Sequence, residues 1–516
     1  MKKSSEFEQK RTKSIYHDAF DLSIKFKYAR NIFIIKYLVL LDLCKLRCIM
    51  ILIMARPARI TRENLAPLIR SRGPVSATEL AAALRVNRTT IVRALVDFGD
   101  DLVTMGATRS TRYALRRPVW IAGNRWPIYT VDDSGQASLW AELEALHERH
   151  WRILWATAPP AWASRFSDRE GLWEGFPFFL GGARPQGFLG RSIAMQISRS
   201  LPVPEDPRRW SDDDTLVYLQ AAGEDLPGSH VVGDDCLRRS LARAVFPASE
   251  NSIHVIERET RYPEMAGLAA SALPGTSAGG EQPKFLTTLR DASGNHLPVL
   301  VKFSPPMDQA AGRRWADLLL CEFHAHEVLA ENGLATAGAR LLDAVGRRFL
   351  EIPRFDRVGA GGRRGVVSLE SLHAAAVASV ARRDWPTAAL ELLHEGLVDE
   401  EAVATVRRLH AFGELIGNTD MHFGNLAFWL ADTLPFQVAP AYDMLPMLWA
   451  PGLQGEIVAR TFAPAPPLPA AHAHWREAME WAAAFWERVA ADSRLSAEFR
   501  DFANQAQLTL RRLNPR

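Results

Sequence analysis

The chain has 516 residues, 47% hydrophobic and 23% charged. That composition excludes collagen-like, disordered and low-complexity classes and leaves room for two to four domains of about 100 to 200 residues each. The formal net charge of +3 hides an uneven distribution: +6 over residues 1–54, +7 over 55–120 and −10 over 121–516. Lysine is scarce, with 10 Lys against 52 Arg, and eight of the ten fall in residues 1–54. Only Lys284 and Lys302 remain in the other 462 residues.

Residues 1–54 contain no Gly, Pro or Trp and are rich in Ile, Lys, Phe and Leu. A spanning helix needs about 20 consecutive apolar residues. Lys36, Asp42, Lys45 and Arg47 interrupt the run from Ile32 to Met54. An uninterrupted signal-peptide core and a small-residue cleavage site are not evident either. We read 1–54 as a translated upstream or disordered extension, with the working protein starting at Met54; an amphipathic surface helix is the other reading. No membrane partner is expected. Cys44, Cys48, Cys236 and Cys321 form neither a disulfide framework nor a zinc spacing, which fits a reducing, cytoplasmic location.

Residues 55–120 read as a basic three-helix module. The first helix spans about Arg62 to Ser71, and Gly73-Pro74 breaks it. Ser76 stands three residues before Glu79, a capping-box signature that opens a helix over Ala77 to Leu84. The third helix runs from Arg88 to Phe98, with Ile91, Val92 and Leu95 apolar. Asp101 to Leu115 alternates around Gly106 as a two-stranded wing does. The whole resembles a winged helix-turn-helix, whose third helix enters the DNA major groove by its N-terminal residues. Those are Asn87, Arg88, Thr89, Thr90 and Arg93, with Arg109 and Arg112 in the wing as phosphate contacts. Such tri-helical modules also serve as protein-interaction units; the +7 charge favours DNA as the partner.

Residues 121–260 show aromatic and Gly-Pro-rich stretches and a helix over Thr215 to Ala222, ended by Gly223. Asp212, Asp213 and Asp214 suit a solvated helix N-terminus better than a metal site.

Beyond this point the chemistry concentrates. Lys302 lies in the strand pattern Val299-Leu300-Val301-Lys302-Phe303, the setting of the nucleotide-binding lysine of protein kinases. Lys284 closes the small-residue stretch Pro274 to Lys284, whose backbone N–H groups suit phosphate. Glu322, on a helix from Trp315 to Asn332, is either the kinase-type partner of Lys302 or an exposed acid. Asp420 and Asn425 reproduce the catalytic-loop spacing Asp-x4-Asn, in which Asp accepts the substrate hydroxyl proton and Asn holds Mg²⁺. Asp443 follows a strand-like stretch, Pro435 to Val438, where a second metal-binding carboxylate belongs.

Together these pieces resemble the HipA-like serine/threonine kinase toxins. The matching segments are Ser277-Ala-Gly-Gly-Glu-Gln-Pro-Lys284, Val301-Lys302-Phe303, Glu322, Arg354-Phe355-Asp356-Arg357, Asn418 to Asn425 and Tyr442-Asp443. A fused N-terminal helix-turn-helix looks like the YjjJ branch. The resemblance implies Asp420 as general base, His422 as the catalytic-loop histidine, and Asn425 and Asp443 as Mg²⁺ ligands. It implies ATP contacts from Gly279, Gly280, Gln282, Lys284, Lys302, Glu322, Pro353, Phe355 and Asp356, and autophosphorylation at Ser277. Pro283 departs from the family, which usually has an acid there, and removes a backbone donor from the loop.

The expected fold is α+β: a winged helix-turn-helix over 55–120, a HipA N-subdomain-like α/β region over 121–260, and a largely helical kinase-like core over 261–516. The expected function is an ATP- and Mg²⁺-dependent protein serine/threonine kinase, a growth-inhibiting toxin that binds DNA to regulate itself. Its implied partners are a protein substrate, of which an aminoacyl-tRNA synthetase is one family example, and an antitoxin. Two rivals stand: a transcription regulator whose kinase-like domain senses nucleotide, and a small-molecule phosphotransferase.

Overall fold

The computed structural model describes residues 60–245, 252–271, 282–377, 384–452 and 454–513. The 1–54 extension and Ser277, Gly279 and Gly280 lie outside the described residues. Two compact units separate, one comprising 60–68 with 76–99 and the other 69–75 with the chain from residue 100 onward.

In the first unit, α2 (Ala77–Leu84) follows α1 (Arg62–Arg72) and opens on the expected capping box. The Glu79 backbone N–H donates to Ser76 Oγ (3.2 Å), and the Ser76 N–H donates back to the Glu79 carboxylate (2.8 Å). The helix ends with Arg85 in the left-handed region (φ 53°). A short turn then leads into α3 (Arg88–Leu95), which buries Ile91, Ala94 and Leu95. Asn87, Arg88, Thr89 and Arg93 are exposed and Thr90 is half-buried. The apolar spacing predicts a third helix that reaches Phe98. Instead the chain tightens after Leu95 into a 3-10 turn over Val96–Asp101, bent at Gly99 (φ 52°).

The second unit begins with the hairpin read as a wing. Strands β1 (Leu102–Met105) and β2 (Arg112–Leu115) pair antiparallel, Leu102 opposite Leu115 and Met105 opposite Arg112. Gly106 turns the chain at φ 76°, and a Cβ there would lie 2.8 Å from the Ser110 carbonyl oxygen. Arg112 does not stand free for phosphate, because it pairs with Asp168. Just beyond the hairpin, Arg116 donates to the fully buried Glu144 (2.7 Å), and Arg117 grips Asp213 by two bonds (2.6 and 2.7 Å).

A five-stranded antiparallel sheet follows, with β3 (Arg125–Val131), β4 (Ala137–Ala145), β5 (His150–Trp155), β6 (Leu172–Glu174) and β7 (His230–Val232) in the spatial order β6-β5-β4-β3-β7. Its inward face carries Trp126, Trp140, Trp151 and Trp173, all buried. Helix α4 (Gly187–Ile197) precedes α5 (Asp212–Ala222), whose acidic first turn is structural. There Asp214 closes a capping box with Ser211, Asp213 holds Arg117, and Asp212 holds Arg184. Helix α6 (Asp234–Val245) completes this region.

The C-terminal region opens with β8 (Ser252–His254) and α7 (Arg258–Ser271). Strands β9 (Lys284–Arg290), β10 (His296–Phe303), β11 (Arg340–Ala344) and β12 (Arg347–Pro353) join β8 in the order β11-β12-β10-β9-β8. Side chains alternate across a strand. Val299, Val301 and Phe303 therefore enter one apolar core with Phe285 and Phe349, while Lys302 projects to the face where α8 (Ala310–Glu331) lies. The ribbon β13 (Val366–Ser368) with β14 (Ala427–Trp429) pairs across the helices α9 (Leu369–Ala376), α10 (Trp385–His394) and α11 (Glu400–Ile416). Helices α12 (His472–Ala491) and α13 (Ala497–Leu513) bury Phe485, Trp486 and Phe499 as plain packing helices.

Candidate active site

The centre of the site is the Lys302 ammonium, which is 2% exposed. It donates to Glu322 of α8 and to Asp443, which follows β14. Of the two readings of Glu322, the buried ion pair is the one observed. Burial by itself disfavours the charged Lys302, but Asp443 and Glu322 outweigh it and raise its pKa above the ordinary lysine value. For Asp443 burial likewise opposes charge, and Lys302 with Lys284 prevails, holding its carboxyl well below the usual range. Glu322 goes the other way: burial pushes it up despite Lys302. One carboxylate of the pair is thus firmly ionised and the other is reluctant.

The polar loop that faces this lysine is built by the end of α11. Gly417 closes the helix in the left-handed region (φ 79°), and a Cβ there would press on Trp449 at 3.2 Å. Asn418, buried, then ties the Asp420 loop to the backbone at Asp443. Its Oδ1 accepts the Asp420 backbone N–H (3.0 Å), and its Nδ2 donates to the Asp443 carbonyl (3.3 Å). The Asn425 amide donates to the Asp420 carbonyl (2.8 Å), so the Asn425 oxygen is left for another partner. His422 Nδ1 accepts the Gly424 N–H (3.0 Å), and Trp385 Nε1 donates to the His422 carbonyl (3.1 Å). These bonds hold the loop by its backbone and leave the exposed Asp420 carboxylate unused by them. Partial burial, with Asp443 adding to it against His422, raises the Asp420 pKa above the ordinary carboxylate value.

Asp443 itself has φ 55°, a conformation uncommon outside glycine. The residue before it is anchored too: Tyr442 Oη donates to the Gly424 carbonyl (2.7 Å), and its ring stacks on Phe355 with centroids 5.9 Å apart. Lys284 sits opposite Lys302 in the β9–β10 register, and its charge bears on Asp420 and Asp443. Gln282, at the described edge of the small-residue loop, has a buried Nε2 with no hydrogen-bond partner among the described residues. Pro353 ends β12 opposite Val299.

The structure therefore brings Lys284, Lys302, Glu322, Asp420, Asn425 and Asp443 into one electrostatic group. Asp356 does not join it. Its buried carboxylate accepts from Arg354 (3.0 Å), Arg357 (2.6 Å) and the Gly228 N–H (3.1 Å). Sequence reasoning gave no role to Asn418, although an Asn two residues before an Asp is a familiar turn signal.

Comparison with known proteins finds family matches in two stretches of the chain. Residues 122–241 match the YjjJ-like toxin middle domain, and residues 276–509 match the HipA-like C-terminal domain. Toxin YjjJ of Escherichia coli K12 is 35% identical over 444 residues, spanning 86% of this chain and 96% of that protein. The chain belongs to the YjjJ-like branch of the HipA-like toxin family. Among solved structures, this family member resembles Shewanella oneidensis HipA in its complex with HipB and operator DNA, at 14% identity and TM-score 0.47 over 75% of this chain and 96% of that one. It also resembles the Helicobacter pylori proinflammatory kinase CtkA, at 11% identity and TM-score 0.31 over 44% of this chain and 90% of that one. No helix among the described residues of this YjjJ-like chain is long and apolar enough to cross a membrane.

Proposed function

We propose that this HipA-family chain is an ATP-dependent protein serine/threonine kinase. The observation that carries the reading is the buried Lys302 ammonium bridging Glu322 and Asp443, beside a backbone-locked loop that presents Asp420 and Asn425. A kinase needs little covalent chemistry from the protein; positioning and charge stabilisation do the work.

The residues fit Mg²⁺. Among the described residues no group of three or more His, Cys, Asp and Glu side chains converges to hold a metal alone. One carboxylate, Asp443, and one amide oxygen, Asn425, instead suit a cation that completes its shell with phosphate oxygens and water. Bound there, Mg²⁺ would neutralise charge on the phosphates. Lys302 would hold phosphate oxygens, and Glu322 would fix Lys302. Phe355 and Pro353 would border the base. Asp420 would accept the proton of the acceptor hydroxyl as its oxygen bonds the γ-phosphorus and the β–γ bridging oxygen leaves with ADP. The raised Asp420 pKa supports that role, because a base closer to neutrality takes a proton more readily.

The remaining parts of the reading follow from it. Ser277 is the proposed autophosphorylation site, and about −1.5 to −2 of added charge would repel ATP phosphates from the loop it occupies. Asn87, Arg88, Thr89, Thr90 and Arg93 would meet DNA, supported by the exposure of Arg88 and Arg93 at the start and outer side of α3. The buried free thiols of Cys236 and Cys321 suit a reducing, cytoplasmic setting. A protein substrate and an antitoxin are the partners proposed.

Incubation of the purified chain with labelled ATP and Mg²⁺ tests the reading. Label should appear at Ser277 by mass spectrometry, and Asp420→Ala should abolish it. Absence of label on the intact chain and on added protein substrates, with ATP still bound, would make the chain a nucleotide sensor instead.

A further inference from the structure

Away from Lys302, a polar cleft of about 100 Å³ opens between the residues after α5, helix α6, the β9–β10 hairpin and the segment 354–363. Arg243, Arg354, Arg357 and Arg363 line it, with Glu224 and Asp225. None of the side chains given a role in phosphoryl transfer lines this cleft.

Its charges do not balance. Asp225 accepts from Arg354 (2.8 Å) and Arg357 (3.2 Å), and Asp356 accepts from the same two residues. Glu224 meets Arg239 at 3.4 Å and Arg243 at 3.6 Å. Arg363 has no carboxylate partner among the described residues. Its Nη2 donates to the Glu224 carbonyl and to Ser240 Oγ (2.7 Å). Its Nη1 is buried and makes no hydrogen bond to the described residues, in a residue only 6% exposed. Among the described residues five guanidinium groups thus share three carboxylates.

A buried cation without a counter-charge is costly, and buried charges are normally paired. Burial, and after it the neighbouring Arg354, pushes the Arg357 guanidinium below its ordinary pKa. Arginine forks match tetrahedral oxyanions with two parallel bonds. An excess of two positive charges corresponds to one phosphate dianion, which carries about −1.5 to −2 at neutral pH. No aromatic side chain lines the cleft among its described residues, so the recognition is of phosphate and not of a nucleobase.

We propose that this cleft is a second anion site that binds a phosphate group, with the loosely paired Arg243 and the carboxylate-free Arg363 as its contacts. Arg243 is the better handle, because its side chain is 43% exposed and only loosely paired, so its loss leaves the buried cluster intact.

Calorimetric titration of the full chain with inorganic phosphate, at fixed ionic strength, is the test. A non-hydrolysable ATP analogue present in excess occupies the Lys302 site. Saturable binding is expected to persist with the analogue, to weaken at least about tenfold in Arg243→Ala, and to vanish in Arg243→Glu, both variants keeping the wild-type melting profile. Three results overturn the proposal: no saturable binding, binding displaced by the analogue, or binding that both Arg243 variants leave unchanged. In each case the arginines act as a static clamp alone.

Discussion

The Lys302 ammonium donates to Asp443 across 141 residues of sequence, and the bond joins the strand sheet to the loop that follows β14. The same ammonium holds Glu322. Lys302 is therefore structural as well as electrostatic. Lys302→Met leaves two buried or partly buried carboxylates without their cation, and removing one partner of a buried pair costs about 3–5 kcal/mol. The expected result is a lowered denaturation midpoint together with lost ATP binding. Lys302→Arg should fail to restore ATP binding, because a planar fork does not replace a compact point charge. Urea melts and nucleotide titrations of both variants check this; a wild-type midpoint in Lys302→Met contradicts it.

Asp420 is expected to separate chemistry from binding. Its backbone N–H and carbonyl make the loop bonds to Asn418 and Asn425. Asp420→Asn keeps those bonds. Phosphoryl transfer should fall by about 10²–10⁴, the usual worth of a general base, with ATP affinity within about threefold of wild type. Single-turnover labelling and a binding titration on the same preparation measure the two quantities.

Acid should weaken the fold through His230. Its ring lies 4.3 Å from Trp140 and 5.3 Å from Phe179, and burial pushes its pKa down to about 4. The folded state keeps this imidazole neutral while the unfolded chain takes up a proton at about pH 6.5. The contribution is fully present above pH 6.5 and is lost as pH falls toward 4, amounting to about 1–2 kcal/mol by pH 5. Stability of His230→Gln should depend less on pH over this window. Chemical denaturation at pH 7 and pH 5 for both chains reads the difference.

The α3 face carries the DNA prediction. Arg88 and Arg93 are exposed, and neither is needed to bury Ile91, Ala94 or Leu95. Arg88→Ala with Arg93→Ala should weaken DNA binding and reduce the slope of log K against log salt by about 0.9 per lost phosphate contact. Fluorescence anisotropy at several salt concentrations measures the slope. An unchanged slope and affinity move the DNA contact elsewhere or remove it.

Much of the site was legible because its signals are local or strictly periodic. Alternation in Val299 to Phe303 placed Lys302 on the face opposite the apolar core, and the Asp420–Asn425 spacing survives as one loop. Ser76 and Glu79 declared their helix start by chemistry that acts within four residues. What escaped was set by tertiary contact. Arg112 reads as a wing cation, yet Asp168, 56 residues on, claims it. Asp356 reads as part of a nucleotide motif, yet its carboxylate is spent on Arg354 and Arg357, while the adjacent Phe355 faces Tyr442. The third helix stops at Leu95 rather than Phe98, and nothing in the intervening apolar spacing marks that end before Gly99 does.

The pair of bonds at Arg116 and Arg117 bears on how this chain can be taken apart. Glu144 is wholly enclosed, and Arg116 provides its shortest contact, ahead of Arg125 at 3.4 Å and Arg152 at 3.5 Å. Scissors placed at residue 120 would leave that carboxylate inside the larger fragment and carry its nearest guanidinium away with the smaller one. Such a cut leaves Glu144 to Arg125 and Arg152 at longer range, so the larger fragment is expected to lose its closest charge pair while the carboxylate keeps two cations.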